Sequence, residues 1–284
     1  MKFFKRCPYS TPPIGDILNQ DVNPSNQVNI GLFVGEFDVL LPIGGDGTLH
    51  EVINGLAKAE EMKICIAPIP TGTGCDYVRN FKLFDRSNHI HLLHYIKESL
   101  NKQKIDIGKI ECRDHNGEMI TSYFLNICSI GISTKVLNSV RASKLRNQYV
   151  YWVYTAYHAM FRLSNRKLGF TIDSEYKFDA MNFLSAICLG KYFGGGMKIS
   201  PRANTGEARL TLTSIVDVGR VQLVTKVLPA LKSGEFSKCS CIKEMKCHTI
   251  EIECEGAEMI EADGELVGYL PAKITILPNK FYFI

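Results

Sequence analysis

No stretch of the 284 residues reaches the roughly 18 consecutive apolar positions that a membrane-crossing helix needs, so any membrane contact is expected to be peripheral. The opening Met-Lys-Phe-Phe-Lys-Arg-Cys-Pro has basic residues without a following apolar core and does not read as an export signal, which predicts a cytoplasmic protein meeting the inner face of the membrane only at its surface. Charge of one sign is also scarce. The net charge is +4 and the charged residues are spread, too little for a nucleic-acid footprint but compatible with an anionic membrane surface. The Gly-x-x-x-x-Gly-Lys-Ser/Thr loop is missing, as are His-Arg-Asp and Asp-Phe-Gly, which excludes P-loop enzymes and protein kinases. Standard zinc spacing is missing too: neither Cys239, Cys241, Cys247 and His248 nor His89, His91 and His94 fit it. The ten cysteines read as reduced thiols, with Cys65, Cys128 and Cys188 inside apolar runs as small hydrophobes.

What is present begins after an irregular lead-in of about 36 residues rich in Pro, Asn and Ser. Phe37 to Ile43 is apolar and strand-like, Gly44-Gly45-Asp46-Gly47 is a turn, and Leu49, Val52, Ile53 and Leu56 follow at helical spacing. Thr48 and Glu51 have the form of a capping box that would start this helix. The unit recurs with Ile64 to Ile69 as strand, Pro70 to Asp76 as loop and a helix start at Tyr77, and two such units predict an α/β layer with a mostly parallel sheet. A helix over His91 to Leu100 comes next. Beyond it the period changes to two, with strands expected at Ile107–Cys112, Tyr123–Ile130, Gly169–Ile172, Asn182–Leu189, Leu210–Val216, Thr249–Cys254 and Lys273–Leu277. Helical segments near 135–163 and 220–232 interrupt this second, β-rich part. The aromatic stretch Tyr149 to Phe161, flanked by basic residues such as Arg141, reads as a buried helix with basic ends or as a helix resting at a bilayer surface.

Glycines ahead of a helix let a phosphate approach unpaired N–H groups and the positive end of the helix dipole. Asp46 among such amides would repel that ligand unless a cation or the loop's own N–H groups compensate, which suggests a Mg²⁺-nucleotide. Asp263-Gly264 between apolar runs is by itself a strong hairpin signal.

Gly44-Gly-Asp-Gly-Thr-Leu-His-Glu-Val-Ile-Asn-Gly-Leu56, with Pro70-Thr-Gly-Thr-Gly-Cys-Asp-Tyr-Val-Arg79, closely resembles the diacylglycerol kinase and sphingosine kinase superfamily. Ile105-Asp106-Ile107-Gly108, Asn126 with Gly131, Tyr192 to Met197, Pro201-x-Ala203 and Asp263-Gly264-Glu265 extend the likeness over roughly 37 to 284. The resemblance implies a nucleotide domain at 1–104 completed by the last strand, 272–284, and a β-sandwich-like lipid domain at 105–271. It implies transfer of the ATP γ-phosphate to the hydroxyl of diacylglycerol or a related lipid, with ATP and Mg²⁺ as cofactors and a homodimer as a candidate assembly. Gly44, Gly45, Asp46, Gly47, Thr48, Leu49, His50, Gly72 and Thr73 would hold the nucleotide, and Asp263 and Glu265 would be the catalytic carboxylates, with the base left open between them.

The pattern departs from the family at three points. The Asn-Pro-x-Ser-Gly unit expected before the glycine loop has only a faint echo in Asn23-Pro24-Ser25, so the amino end reads as shortened. Cys75 stands where the family has Asn, and at the metal position Glu207-Ala208 replaces Asp-Gly, leaving the Glu207 carboxylate with the backbone carbonyls of Asn204 and Arg209 as candidate ligands. These departures keep open a catalytically impaired member that only binds lipid or nucleotide; an NAD-kinase-like enzyme, which shares Gly-Gly-Asp-Gly, is a further alternative that the second glycine loop and Asp263-Gly264-Glu265 disfavour.

Overall fold

The computed structural model describes residues 39–57, 65–72, 74–81, 103–142, 154, 157, 165–236 and 239–283. The expected helix at His91–Leu100 and the histidine cluster lie outside them, as does most of the aromatic stretch 149–161.

Each strand expected in the glycine-loop units is split in two. Phe37–Ile43 resolves into β1 (Val39–Leu40) and β2 (Ile43–Gly44), and Ile64–Ile69 into β3 (Cys65–Ile66) and β4 (Ile69–Pro70). The breaks fall at Pro42 and Pro68, which have no N–H to give a ladder. The Pro42 carbonyl still accepts the Ile69 N–H at 2.8 Å, so the chains remain side by side. β1 pairs with β3 and β2 with β4, both parallel. Between β2 and β3 runs α1 (Asp46–Leu56), burying Leu49, Val52, Ile53 and Leu56 at the spacing read from the sequence.

The remaining strands are mostly long and pair antiparallel with one another: β5 (Gln103–Arg113), β6 (Met119–Phe124), β7 (Ile127–Gly131), β8 (Arg166–Ile172), β9 (Tyr176–Cys188), the small pair β10 (Tyr192–Phe193) and β11 (Met197–Lys198), β12 (Leu210–Val216), β13 (Ile242–Cys247), β14 (Thr249–Cys254), β15 (Met259–Ala262) and β16 (Glu265–Phe283). The expected strand Tyr123–Ile130 is divided at Leu125 and Asn126, whose N–H groups turn away from the ladder to a carboxylate. β13 was not expected because Lys243, Glu244 and Lys246 dilute its apolar signal; it is an edge strand pairing with β12, where charge discourages further pairing. α2 (Ile132–Ala142) follows β7 directly. The helical run near 220–232 has three pieces: α3 (Arg220–Gln222), a π-type turn over Leu223–Val227, and α4 (Leu228–Ser233) closed by left-handed Gly234.

The protein is therefore a strand-rich, two-part fold. β9 and β12 are buried on both faces at their shared segment, because Ile187, Leu210 and Leu212 enter a core between strands while Ala186, Cys188 and Ile215 enter a second core covered by α2, the π-type turn and α4. A third core belongs to the glycine-loop units and takes Val52, Ile53, Leu56, Ile66 and Tyr77 together with Ile105, Phe281 and Phe283. The last two come from β16, which runs antiparallel to β5 and β14 and then parallel to β3 through Tyr282↔Cys65 and Phe283↔Ile66. Phe283 meets Tyr77 edge-on at 5.2 Å and stacks on Phe81 at 4.5 Å.

Phe281 is 1% exposed, so Phe281→Ala is expected to cost about 3–5 kcal/mol of unfolding free energy, read as a lower urea midpoint at unchanged slope.

Candidate functional site

The two glycine loops touch backbone to backbone. The N–H groups of Thr71 and Gly72 both donate to the Gly44 carbonyl, at 3.0 and 3.2 Å. A Cβ on Gly72 would lie 2.4 Å from Gly45 Cα, so only glycine fits there. The expected capping box at Thr48 does not form. α1 starts two residues earlier, at Asp46, with Gly45 as an extended N-cap and no side-chain cap bond. Thr48 instead packs against Gly44, where a Cβ would meet Thr48 Oγ1 at 2.2 Å. The first amides of the helix are thus left uncapped by side chains, which suits an anionic ligand.

Asp46 is compensated by the second loop: its oxygens accept the N–H groups of Asp76 at 2.9 Å and Tyr77 at 3.1 Å. Burial, and then the Asp76 carboxylate, push its carboxyl up to about 6 against the pull of those two donors. Asp76 in turn accepts the Gly195 N–H at 2.7 Å and pairs with Arg79 at 3.2 Å. Thr73 lies outside the described residues.

Asp263 and Gly264 form the two-residue turn between β15 and β16, both left-handed at φ 52° and 84°, so the hairpin signal is realised. That turn also delivers a functional side chain. The Asp263 carboxylate, 4% exposed, accepts the N–H groups of Leu125 (2.9 Å), Asn126 (2.9 Å) and Ile127 (3.1 Å) at the break between β6 and β7. His50 of α1 approaches it at 3.4 Å and Asn54 supports His50 from the next turn. Burial works against a charged His50, but the hydrogen bond and charge of Asp263, with Glu265 and Glu261 beyond, hold its pKa above the usual value. The paired acid, Glu265, is half-exposed, pairs with Arg141 of α2, and comes so near the loop that a Cβ on Gly47 would be 3.3 Å from its Oε1.

Two contributors went unrecognised in the sequence. Arg141 donates to the Gly264 carbonyl at 3.1 Å as well as to Glu265, fastening α2 to the acid turn. Glu261 is buried with Oε2 accepting the Gly264 N–H at 3.1 Å, while Oε1 meets Ser129 Oγ. Ser129 Oγ also lies 2.7 Å from Ser133 Oγ and has one hydrogen to give. Burial pushes the Glu261 carboxyl up to about 7, opposed by Ser129 and the Gly264 N–H. A carboxylate inside the apolar run Met259 to Ala262, two residues before Asp-Gly, was the available signal.

These groups line one cleft of about 680 Å³. Gly45, Asp46, Gly47, Asp263 and Glu265 form its polar end, and Ile132, Val136, Val140, Phe183, Leu223 and Leu231 its apolar wall. Asn126 lines it too, and its buried Oδ1 lacks a partner among the described residues. Leu49, buried on α1, does not line the cleft, nor do Gly44, Thr48, His50 and Gly72. At the candidate metal position one side chain, Glu207, carries the charge. The Glu207 carboxylate is paired with Lys246, Asn204 Oδ1 accepts the Gly206 N–H at 3.3 Å, and the described residues hold no cluster of three or more metal-binding side chains. The loop is anchored instead by Asp106, which accepts the N–H groups of Ala208 at 2.7 Å and Asn279 at 2.8 Å.

Because the folded protein binds a proton at Glu261 that a solvated Glu near 4.5 has released, the stability of the wild type relative to Glu261→Gln should fall as pH rises from about 5 to 7. The slope is at most about 1.4 kcal/mol per pH unit, read by thermal melts of both proteins across that range.

Residues 126–284 match the YegS C-terminal NAD kinase beta sandwich-like domain, and residues 29–110 match the diacylglycerol kinase catalytic domain. The chain is 26% identical over 271 residues to a diacylglycerol kinase of Staphylococcus saprophyticus, covering 94% of this chain and 81% of that one. It is 26% identical over 250 residues to a diacylglycerol kinase of Bacillus subtilis, covering 88% and 78%. A solved structure of a diacylglycerol kinase from Bacillus anthracis shares the fold, with a TM-score of 0.68 at 22% identity over 95% of this chain and 84% of that one. The chain belongs to the bacterial diacylglycerol-kinase-like family of lipid kinases.

Proposed function

We propose that this kinase transfers the γ-phosphate of ATP to the hydroxyl of diacylglycerol or a closely related lipid alcohol. The observation that carries this reading is the composition of one cleft, lined both by glycine-loop residues with an acid pair and by a set of apolar side chains. Phosphates need the first, and an acyl chain needs the second.

In this reading the nucleotide domain comprises 1–104 with the returning strand 272–284, a mostly parallel layer of which the described part has the ladders β1–β3, β3–β16 and β2–β4. The β-rich segment 105–271 takes the lipid. Gly44 to Thr48 hold the phosphates through main-chain N–H groups with Thr73 of the second loop beside them, Gly72 keeps the two loops in contact, and His50 acts behind them on Asp263 rather than on the nucleotide. Mg²⁺ arrives with ATP as part of the substrate and neutralises phosphate charge. Asp263 and Glu265 then work as a unit. Asp263 is a fixed negative charge whose oxygens accept three backbone N–H groups and face His50, whereas Glu265 projects toward Gly47 on a partner it can leave, Arg141. The lipid hydroxyl loses its proton to this pair as its oxygen attacks phosphorus. Lipid is reached by peripheral membrane contact; no described helix is long and apolar enough to cross a membrane.

The test is incorporation of radiolabel from [γ-³²P]ATP into a lipid panel, with label expected in phosphatidate. No labelled lipid, or label in NAD, would sink the reading. Asp263→Asn and Glu265→Gln are each expected to lower kcat by about 10²-fold or more. Only Asp263→Asn should also lower the melting temperature, since it alone disturbs buried N–H donors. Gly72→Ala, which forces the two loops apart, should raise the KM for ATP roughly tenfold or more while leaving lipid KM near the wild-type value.

A further inference from the structure

We propose that the helical run 220–233 is the edge by which the enzyme docks on an anionic bilayer, placing the apolar end of the cleft against the lipid surface. The inference rests on the lipid-kinase reading and adds to it the surface through which the lipid enters.

The run is apolar on two sides at once. Leu223 and Leu231 are buried and line the cleft, and half-buried Leu228 lines it as well. Val221 is 77% exposed and Val224 42%, on the same short run whose Leu223, Leu228 and Leu231 line the cleft, so the run carries apolar side chains both in the cleft and in solvent. The other exposed large apolar residues among those described, Met119, Tyr157, Tyr176, Met181 and Met245, lie elsewhere in the chain.

Charge along the run has one sign. Arg220, Lys226 and Lys232 are exposed, and no acidic residue falls between 220 and 233; the nearest, Asp217 and Glu235, stand just beyond its ends. Exposed valines flanked by Lys and Arg are the composition of an interfacial helix: apolar side chains enter the acyl boundary while cations meet anionic headgroups. A cytosolic protein partner would be expected to match the valines without requiring this excess of cations. Continuity with the wall supplies the functional reason. An acyl chain leaving the bilayer beside Val221 and Val224 would meet Leu228, Leu223 and Leu231 of the same run, which line the cleft. The π-type turn at Leu223–Val227 loosens the usual i→i−4 bonding where such an edge has to adjust to a lipid.

The experiment compares the full chain with Val221→Asp/Val224→Asp, substitutions at side chains that the core does not use. Cosedimentation is measured with vesicles of phosphatidylcholine alone and with added phosphatidylglycerol, all containing long-chain diacylglycerol. Activity is measured on those vesicles and on water-dispersed dihexanoylglycerol. The wild type is expected to sediment with the anionic vesicles and far less with phosphatidylcholine alone. The double variant should lose about tenfold or more of that binding and of its vesicle activity, yet keep the dihexanoylglycerol rate within about twofold. Equal vesicle binding by both proteins overturns the proposal. So does a wild type that phosphorylates dihexanoylglycerol but never sediments, and so does a variant whose only change is a smaller mass in light scattering, which would mark the run as a contact between copies. If neither protein phosphorylates any lipid while the difference in sedimentation persists, the docking edge stands and the kinase reading falls.

Discussion

The whole arrangement hangs on one strand. β16 leaves the acid turn at Glu265, pairs along its length with β15, β14 and β5, and ends in a parallel ladder with β3 beneath the glycine loops. A hydrogen-bonded strand is stiff in its own direction, so the distance between the acid pair and the phosphate-binding amides is set by register rather than by a flexible linker. Phe281 and Phe283 lock the far end by entering the core of the glycine-loop units. A two-part fold that shares one strand in this way keeps its cleft in shape without needing a large interface elsewhere.

The electrostatics of the cleft follow from how unevenly N–H donors are distributed among its carboxyls. Asp263 receives three backbone N–H groups and a histidine, Asp46 receives two, and buried Glu261 receives one backbone donor and a serine. Each unpaired negative charge in a buried site is costly, so the site spends backbone N–H groups that would otherwise extend strands, which is why β6 and β7 part at Leu125 and Asn126. Glu265 alone is left at the surface on a salt bridge with Arg141, the kind of pair that is weak and easily exchanged. The result is an ordered acid held by the frame beside a movable one facing the glycine loop.

Much of the fold was legible in the sequence. Leu210–Val216 and Thr249–Cys254 appear as strands with the expected ends, and α1 buries the expected face. The misreadings have local physical causes: prolines cut two strands, a charged edge hid β13, and Gly45 took the N-cap position expected of Thr48. The glycine loops and Asp263-Gly264-Glu265 were visible because their chemistry is carried by short, contiguous residue types. Glu261, Arg141 and the Lys246 that claims Glu207 were not, since each matters only through a partner distant in the chain.

The sequence by itself therefore determined the kinds of element, the two phosphate loops and the family, all of which depend on residues near one another along the chain. Only the tertiary structure decided that Asp263 is a saturated, buried charge, that Glu265 faces Gly47, and that an apolar wall from α2 to α4 meets them in one cleft. The reason is that hydrogen-bond satisfaction and burial are properties of what surrounds a side chain, and here the surroundings are brought together by long-range strand pairing that no local pattern encodes.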